Sequence, residues 1–404
     1  MSVRGTCEQR FAEVEAELER NLAERGEVGA SVCVTVDGET VVDLWGGTAD
    51  PDSGSPWGDD TLCLVWSCGK GATALCAHML ASRGELDLDA PVTAYWPEFG
   101  KNGKEGVPVR LLLNHQVGLP ALREPLPPGG FNDWQLIVER LAAAEPFWEP
   151  GTRHGYHGFT FGHLVGEVVR RVSGRSLGTF LREEVSEPLG LDLWIGLPEE
   201  QEPRVAPTIP VAPPSPGEEL SSMYQVAMSD LTSVPALMLM NNGGHFETCN
   251  TRAAHAAEIP AANAIGNARA LAGLYRPLAL GGAFDGVRLV DESQLLLMSA
   301  VSSASSYDAS VCVPTRWTLG FAKTVDNRHL ATADQSSVLW SEDAFGHPGM
   351  GGSCGFADPR ARMSFGYSMN KHGAGAGLDE RGQALIDAVY RALGYRQTTG
   401  GWFT

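Results

Sequence analysis

Two four-residue runs in this chain place a lysine three positions after a serine: Ser67-Cys68-Gly69-Lys70 and Ser368-Met369-Asn370-Lys371. A serine hydroxyl is a poor nucleophile until a neighbouring base takes its proton. Lysine can be that base only where burial or nearby positive potential lowers its pKa from about 10.4 towards neutrality. The same spacing means different things on different elements. On a helix, positions i and i+3 share a face with Cβ atoms roughly 5–6 Å apart. On a strand they point to opposite faces. Ser368 and Lys371 close the alternating run MSFGYSMNK, which reads as strand, so that pair is not expected to act together. Ser67 and Lys70 open a helical stretch, and Lys70 is the only charged residue in LCLVWSCGKGATALC. The partial positive charge of a helix N-terminus also disfavours an ammonium there. On these residues alone two readings stand level. One is a serine with its base; the other is a Ser67 helix cap beside a Lys70 whose amine reaches solvent.

A third serine lies in Gly351-Gly352-Ser353-Cys354-Gly355. That run matches the G-x-S-x-G elbow, which requires a strand before the turn and a helix after it. Strand-like residues follow here, so a glycine-rich strand edge is expected. His154, His157 and His163 cluster around Tyr156 but show no HExxH spacing, and the eight cysteines form no CxxC pair. They are read as loop, helix and core residues, with no metal or organic cofactor implied. His115 is expected to stabilise its own turn. Trp134, Trp148, Tyr224 and Trp317 are candidates for either pocket lining or core.

These side chains need elements to position them. Phe11, Val14, Leu18 and Leu22 recur at helical spacing. GASVCVTVDGETVVDLWGG reads as a hairpin turning at Asp37-Gly38. A long helical middle follows, strands return from about residue 316, and DERGQALIDAVYRALG forms a last amphipathic helix. Strands at both ends most simply share one sheet. The expected fold is α/β plus α: an antiparallel sheet flanked by N- and C-terminal helices, with an inserted mostly helical lobe. Residues 1–70 and 310–404 form the sheet domain and 71–309 the lobe, with a cleft between them suited to a small molecule. The proline-rich stretch 196–223 is either a wall or lid of that cleft or a surface excursion.

The 404 residues carry a formal charge of −19, and 43% are apolar. Such a chain can bury a large core, and neither a nucleic-acid backbone nor an anionic membrane is expected as a partner. No secretory h-region and no membrane span is read, so a cytoplasmic location is expected. Nothing here indicates an oligomeric state.

Several segments in order resemble a known family. They are Ser67-x-x-Lys70, LLLNHQVGLP at 111–120, Gly155-Tyr156 before FTFGHLVGEVVRRVSG, EPLGLD at 187–192, IPAANAIGNARALAGLY at 259–275 and GHPGMGGSCGFADP at 346–359. Together they are similar to the class C β-lactamase and penicillin-binding-protein superfamily of serine acyl transferases, and within it most to the family VIII carboxylesterases. The resemblance implies the β-lactamase/transpeptidase-like fold. It implies Ser67 as acylated nucleophile, Lys70 as its base and Tyr156 as proton shuttle. It also implies an oxyanion hole from the backbone amides of Ser67 and Met350, and His347 and Gly349 in the substrate cleft.

Two departures from the family's pattern bear on substrate. Its Tyr-x-Asn is Tyr156-His157-Gly158 here, and the lysine of its Lys-Thr-Gly motif is replaced by His347. A histidine is mostly neutral at pH 7, so the fixed charge for a substrate carboxylate is missing. The resemblance therefore implies a serine carboxylesterase acting on small to medium esters through a Ser67 acyl-enzyme. The alternative is an acyltransferase or amide-forming transacylase, or a weak amidase or β-lactamase, using the same intermediate.

Overall fold

The alternating apolar residues of GASVCVTV and MSFGYSM become two neighbouring strands at the centre of a sheet, paired antiparallel with Val34 opposite Phe365. The computed structural model describes residues 2–211, 217, 219–373 and 377–404. Along the chain, the elements that build the site begin with β1 (Arg4–Cys7), α1 (Ala12–Glu24), β2 (Gly29–Val36), β3 (Glu39–Asp50), β4 (Leu62–Trp66) and α2 (Cys68–Ser82). There follow α3 (Thr160–Ser173), α4 (Ser222–Ser229), α5 (Val234–Met240), β5 (Ala264–Gly266) and α6 (Ala268–Ala279). The last are β6 (Phe345–Pro348), β7 (Cys354–Asp358), β8 (Met363–Met369) and α7 (Glu380–Ala392).

The main sheet runs β1-β3-β2-β8-β7-β6, every neighbouring pair antiparallel. Its β2–β3 turn places Asp37 and Gly38 at φ 51° and 87°, the two positive values that a primed hairpin turn needs. Alternation along the strands divides the sheet's faces. Val32, Val34, Phe365 and Tyr367 pack with Val14 and Leu18 of α1 and Leu385 and Val389 of α7. Cys33, on the other face, packs with Ala268 and Ala272 of α6. The terminal helices thus flank the sheet, as the sequence pattern predicts.

Helix α6 arises within the 71–309 span, yet it lies on the sheet. Its apolar stripe would fit a helix or a sheet equally well, so periodicity alone does not name its partner. The sheet layer therefore includes one helix from the middle of the chain. Helix α2 is buried on all sides from Cys68 to Leu80, as an apolar, nearly uncharged helix must be. It runs between the lobe and the sheet, packing on α3 and β6.

A second small sheet holds β4, with β5 antiparallel on one side and Val205–Ala206 parallel on the other. The proline-rich stretch thus supplies an edge to the strand that leads to the first serine. Its residues 212–216 and 218 lie outside the described residues. Among the described residues no helix is long and apolar enough to cross a membrane.

Candidate active site

Strand β4 ends at Trp66, whose backbone occupies the left-handed region at φ 49°. For a bulky residue this costs on the order of 1–3 kcal/mol. The bend turns the chain from β4 into α2 and leaves Ser67 at the junction. Ser67 holds the N-cap position but makes no side-chain capping bond. Its Oγ lies 3.0 Å from Lys70 Nζ and accepts a hydrogen bond from the Tyr156 hydroxyl at 2.8 Å.

Lys70 has no exposed surface, so its amine does not reach solvent. Nζ is 2.7 Å from the Gly158 carbonyl oxygen and 2.8 Å from that of Ala261. Burial holds the amine well below its ordinary pKa, with the Cys68 thiol a smaller opposing influence. A Ser67 that caps the helix beside a Lys70 amine in solvent is therefore not the arrangement found.

Tyr156 reaches Ser67 from the loop before α3. Its ring stacks on Trp317 with centroids 5.3 Å apart and 14° between planes, and Lys70 Nζ stands 4.7 Å from its centroid. Burial raises the phenol's pKa, so the hydroxyl is held as a donor. Asp308, which the sequence reading overlooks, fixes this loop. Its buried carboxylate accepts from the Tyr156 amide at 2.9 and 3.1 Å, the Ser310 amide at 2.8 Å and the Thr315 hydroxyl at 2.9 Å. An Asp two residues before a serine in YDASV is an Asx-turn pattern, the one local signal that could have marked it.

The histidines brace the same loop. His115, at φ 64°, accepts the Gly155 amide on its carbonyl at 3.1 Å and the His157 amide on Nδ1 at 3.2 Å. It therefore supports the Tyr156 loop rather than only its own turn. His157 donates from Nδ1 to the Gly155 carbonyl at 2.7 Å and accepts from the Leu119 amide at 3.1 Å. His154 stands 2.9 Å from Thr315 Oγ1, and His163 packs on Trp134 from α3. The three do not converge on a point.

His347, on β6, donates from Nδ1 to the Pro348 carbonyl at 2.7 Å, and its buried Nε2 has no partner among the described residues. Burial, then the nearby Lys70, pushes its pKa down to about 3, so the ring is neutral. Gly349 is buried against β4. Its amide donates to the Ser353 carbonyl at 2.7 Å, and a Cβ there would stand 2.4 Å from the Val65 carbonyl oxygen of β4. Glycine is what lets the loop lie against that strand. Met350 packs its side chain against the apolar cluster that holds Leu64 and Trp66. Among the described residues, the amides of Ser67 and Met350 donate to no protein group.

Arg381 on α7 secures this loop from behind, donating to the carbonyls of Gly351 and Lys371 at 2.9 Å each and to Glu27 at 2.8 Å. No sequence pattern marks it within its amphipathic helix. Ser353 is buried, with its hydroxyl on the Val65 carbonyl at 3.1 Å and strand β7, not a helix, after it. Of the four aromatic candidates, Trp317 lines the site. Trp134 donates to Glu167 at 3.0 Å and Trp148 to the Gln116 carbonyl at 3.2 Å, while Tyr224 is exposed on α4.

Known proteins share this architecture. A family model described as Beta-lactamase matches residues 14–389. The crystal structure of a family VIII carboxylesterase superposes with a TM-score of 0.85 at 37% identity, covering 97% of this chain and 100% of that one. A penicillin-binding protein homologue from Caulobacter crescentus superposes at 0.83 with 36% identity, covering 97% and 100%. The Mycobacterium tuberculosis protein Esterase/beta-lactamase LipL is 34% identical over 380 residues, 91% of this chain and 82% of that protein.

Proposed function

We propose that this chain, which belongs to the β-lactamase family and is a serine hydrolase, is a carboxylesterase working through a Ser67 acyl-enzyme. The observation that carries the reading is the buried Lys70 amine, set between two carbonyl oxygens and Ser67 Oγ. Carbonyl oxygens only accept. A neutral amine therefore gives its two N–H bonds to Gly158 and Ala261 and turns its lone pair to the Ser67 hydroxyl.

The steps follow from that placement. Lys70 takes the Ser67 proton as Oγ attacks the ester carbonyl carbon. The unspent amides of Ser67 and Met350 stabilise the oxyanion, each such donor being worth roughly 2.7–4 kcal/mol. The carbon–oxygen bond to the alcohol breaks, and the departing alkoxide takes the Tyr156 proton, which the Lys70 ammonium restores. Water then attacks the acyl-enzyme with the same groups acting in reverse. A neutral His347 supplies no cation for a substrate carboxylate, which favours plain esters over β-lactams.

The test is a panel of p-nitrophenyl esters, a lactone, an amide and a cephalosporin, with the intact mass of the enzyme recorded in each. Ester turnover with the acyl adduct on the Ser67 peptide is expected. Faster turnover of the cephalosporin than of any ester, or an adduct elsewhere, overturns the reading.

A further inference from the structure

In the esterase reading, the Met350 amide serves the oxyanion from a turn with little stiffness of its own. Gly351 and Gly352 follow it at φ 85° and 127°, with no side chain to restrain either. The Gly352 amide donates to the Gly349 carbonyl at 3.2 Å, and the Gly349 amide to the Ser353 carbonyl at 2.7 Å. The Gly349 carbonyl and the Met350 N–H belong to one planar peptide unit and point in opposite directions. Whatever fixes the turn therefore aims that N–H.

The hold comes from behind. The Gly351 carbonyl accepts from the Gly373 amide and from Arg381 Nη2, each at 2.9 Å. Nη2 also donates to the Lys371 carbonyl at 2.9 Å, while Nε donates to Asp379 and Nη1 to Glu27, each at 2.8 Å. Four of the guanidinium's five N–H groups are thus directed at four different acceptors, a fork that a lysine could not reproduce. Asp379 caps α7 and so moves with Arg381. Glu27 comes from the far end of the chain, two residues before β2. The Tyr367 hydroxyl of β8 donates to its second carboxylate oxygen, which ties it to the sheet. The Glu27 side chain has no exposed surface and that of Arg381 only 5%. Apolar packing can often replace a buried ion pair without loss of stability, so stability alone gives weak reason for this one. What the pair does supply is a fixed direction for Nη2.

We propose that Glu27 is a positioning residue for the oxyanion hole: through Arg381 it holds the Gly349–Gly352 turn with the Met350 amide aimed at the forming oxyanion. This rests on the esterase reading. The experiment measures kcat and KM for p-nitrophenyl butyrate, and inhibition by phenylboronic acid, whose tetrahedral serine adduct places an oxygen in the hole. Glu27→Ala is expected to lower kcat about 10- to 100-fold, to leave KM within about threefold and to weaken the boronate at least about fivefold. Glu27→Gln keeps an acceptor for Arg381 in the same place and is expected to stay within about fivefold of the wild-type kcat. A wild-type kcat in Glu27→Ala, a loss of kcat with boronate inhibition unchanged, or a glutamine variant as slow as the alanine one overturns the proposal. Should Glu27→Ala fail to fold, Glu27→Asp decides. It keeps the charge but withdraws the carboxylate by one methylene, and a wild-type kcat there overturns the proposal. Wild-type protein that hydrolyses no ester and takes no fluorophosphonate on Ser67 would instead strike the esterase reading itself.

Discussion

Ser67-x-x-Lys70 and Ser368-x-x-Lys371 are the same pattern in two settings. The first spans the turn into α2, where a rise of three residues brings the amine to 3.0 Å from the hydroxyl. The second spans the end of β8, where Ser368 bonds instead to Ser31 Oγ across the sheet at 2.9 Å. Ser353, in the third pattern, is spent on the carbonyl of Val65. A buried serine hydroxyl must find a partner, and the element beneath it decides whether that partner is a base or a scaffold atom. Only at Ser67 does strain at Trp66 and the helix start leave the hydroxyl among groups that can move a proton.

The sharpest way to break this contrast is to remove both serines separately. Ser67→Ala is expected to lower kcat/KM for p-nitrophenyl esters by roughly 10⁴-fold or more. Ser368→Ala is expected to stay within about threefold of wild type and to lose about 1 kcal/mol of stability with its hydrogen bond to Ser31. Similar losses of activity in the two variants would erase the distinction.

The lysines extend it. Lys70→Arg, permanently charged, is expected to lose about 10³-fold in kcat/KM, while Lys371→Arg keeps the wild-type pH profile. The folded pKa of Lys70 lies below that of the unfolded chain, about 10.4. The unfolded state thus binds more protons in the window between those two values, and stability rises with pH across it. Lys70→Met is accordingly expected to raise Tm near pH 7, with the gain shrinking towards pH 10. A gain independent of pH in thermal scans would contradict a buried neutral amine.

Ser353 extends the contrast to stability alone. Ser353→Ala is expected to cost about 1 kcal/mol in urea unfolding, since its hydrogen bond to the Val65 carbonyl is lost, with acylation of Ser67 retained. Loss of acylation without loss of stability would make it more than scaffold.

Much of the sheet was legible because period-two patterns and the Asp37-Gly38 turn are local signals. The placement of α6 was not, because an amphipathic stripe names no partner. Asp308 and Arg381 escaped for a related reason. Each acts through backbone groups far away in sequence, Tyr156 for one and Gly351 for the other, and no spacing rule links them. Sequence alone points His115 to its own turn, because its contacts with Gly155 and His157 exist only once two loops meet.

With five lysines in 404 residues, Lys70, Lys101, Lys104, Lys323 and Lys371, and one of them alone in an apolar run beside a serine, the amino-acid sequence determined which Ser-x-x-Lys pair is the one to propose as reactive. It also determined the sheet, its flanking helices and the absence of a lysine at position 347. What it left level was whether the Lys70 amine is buried or reaches solvent. That was decided by Gly158 and Ala261, whose carbonyls surround the amine after two remote loops close on α2, and by burial that no local pattern encodes. Helix periodicity sets which side chains share a face, whereas a pKa depends on everything within a few ångströms, and only the assembled chain supplies that.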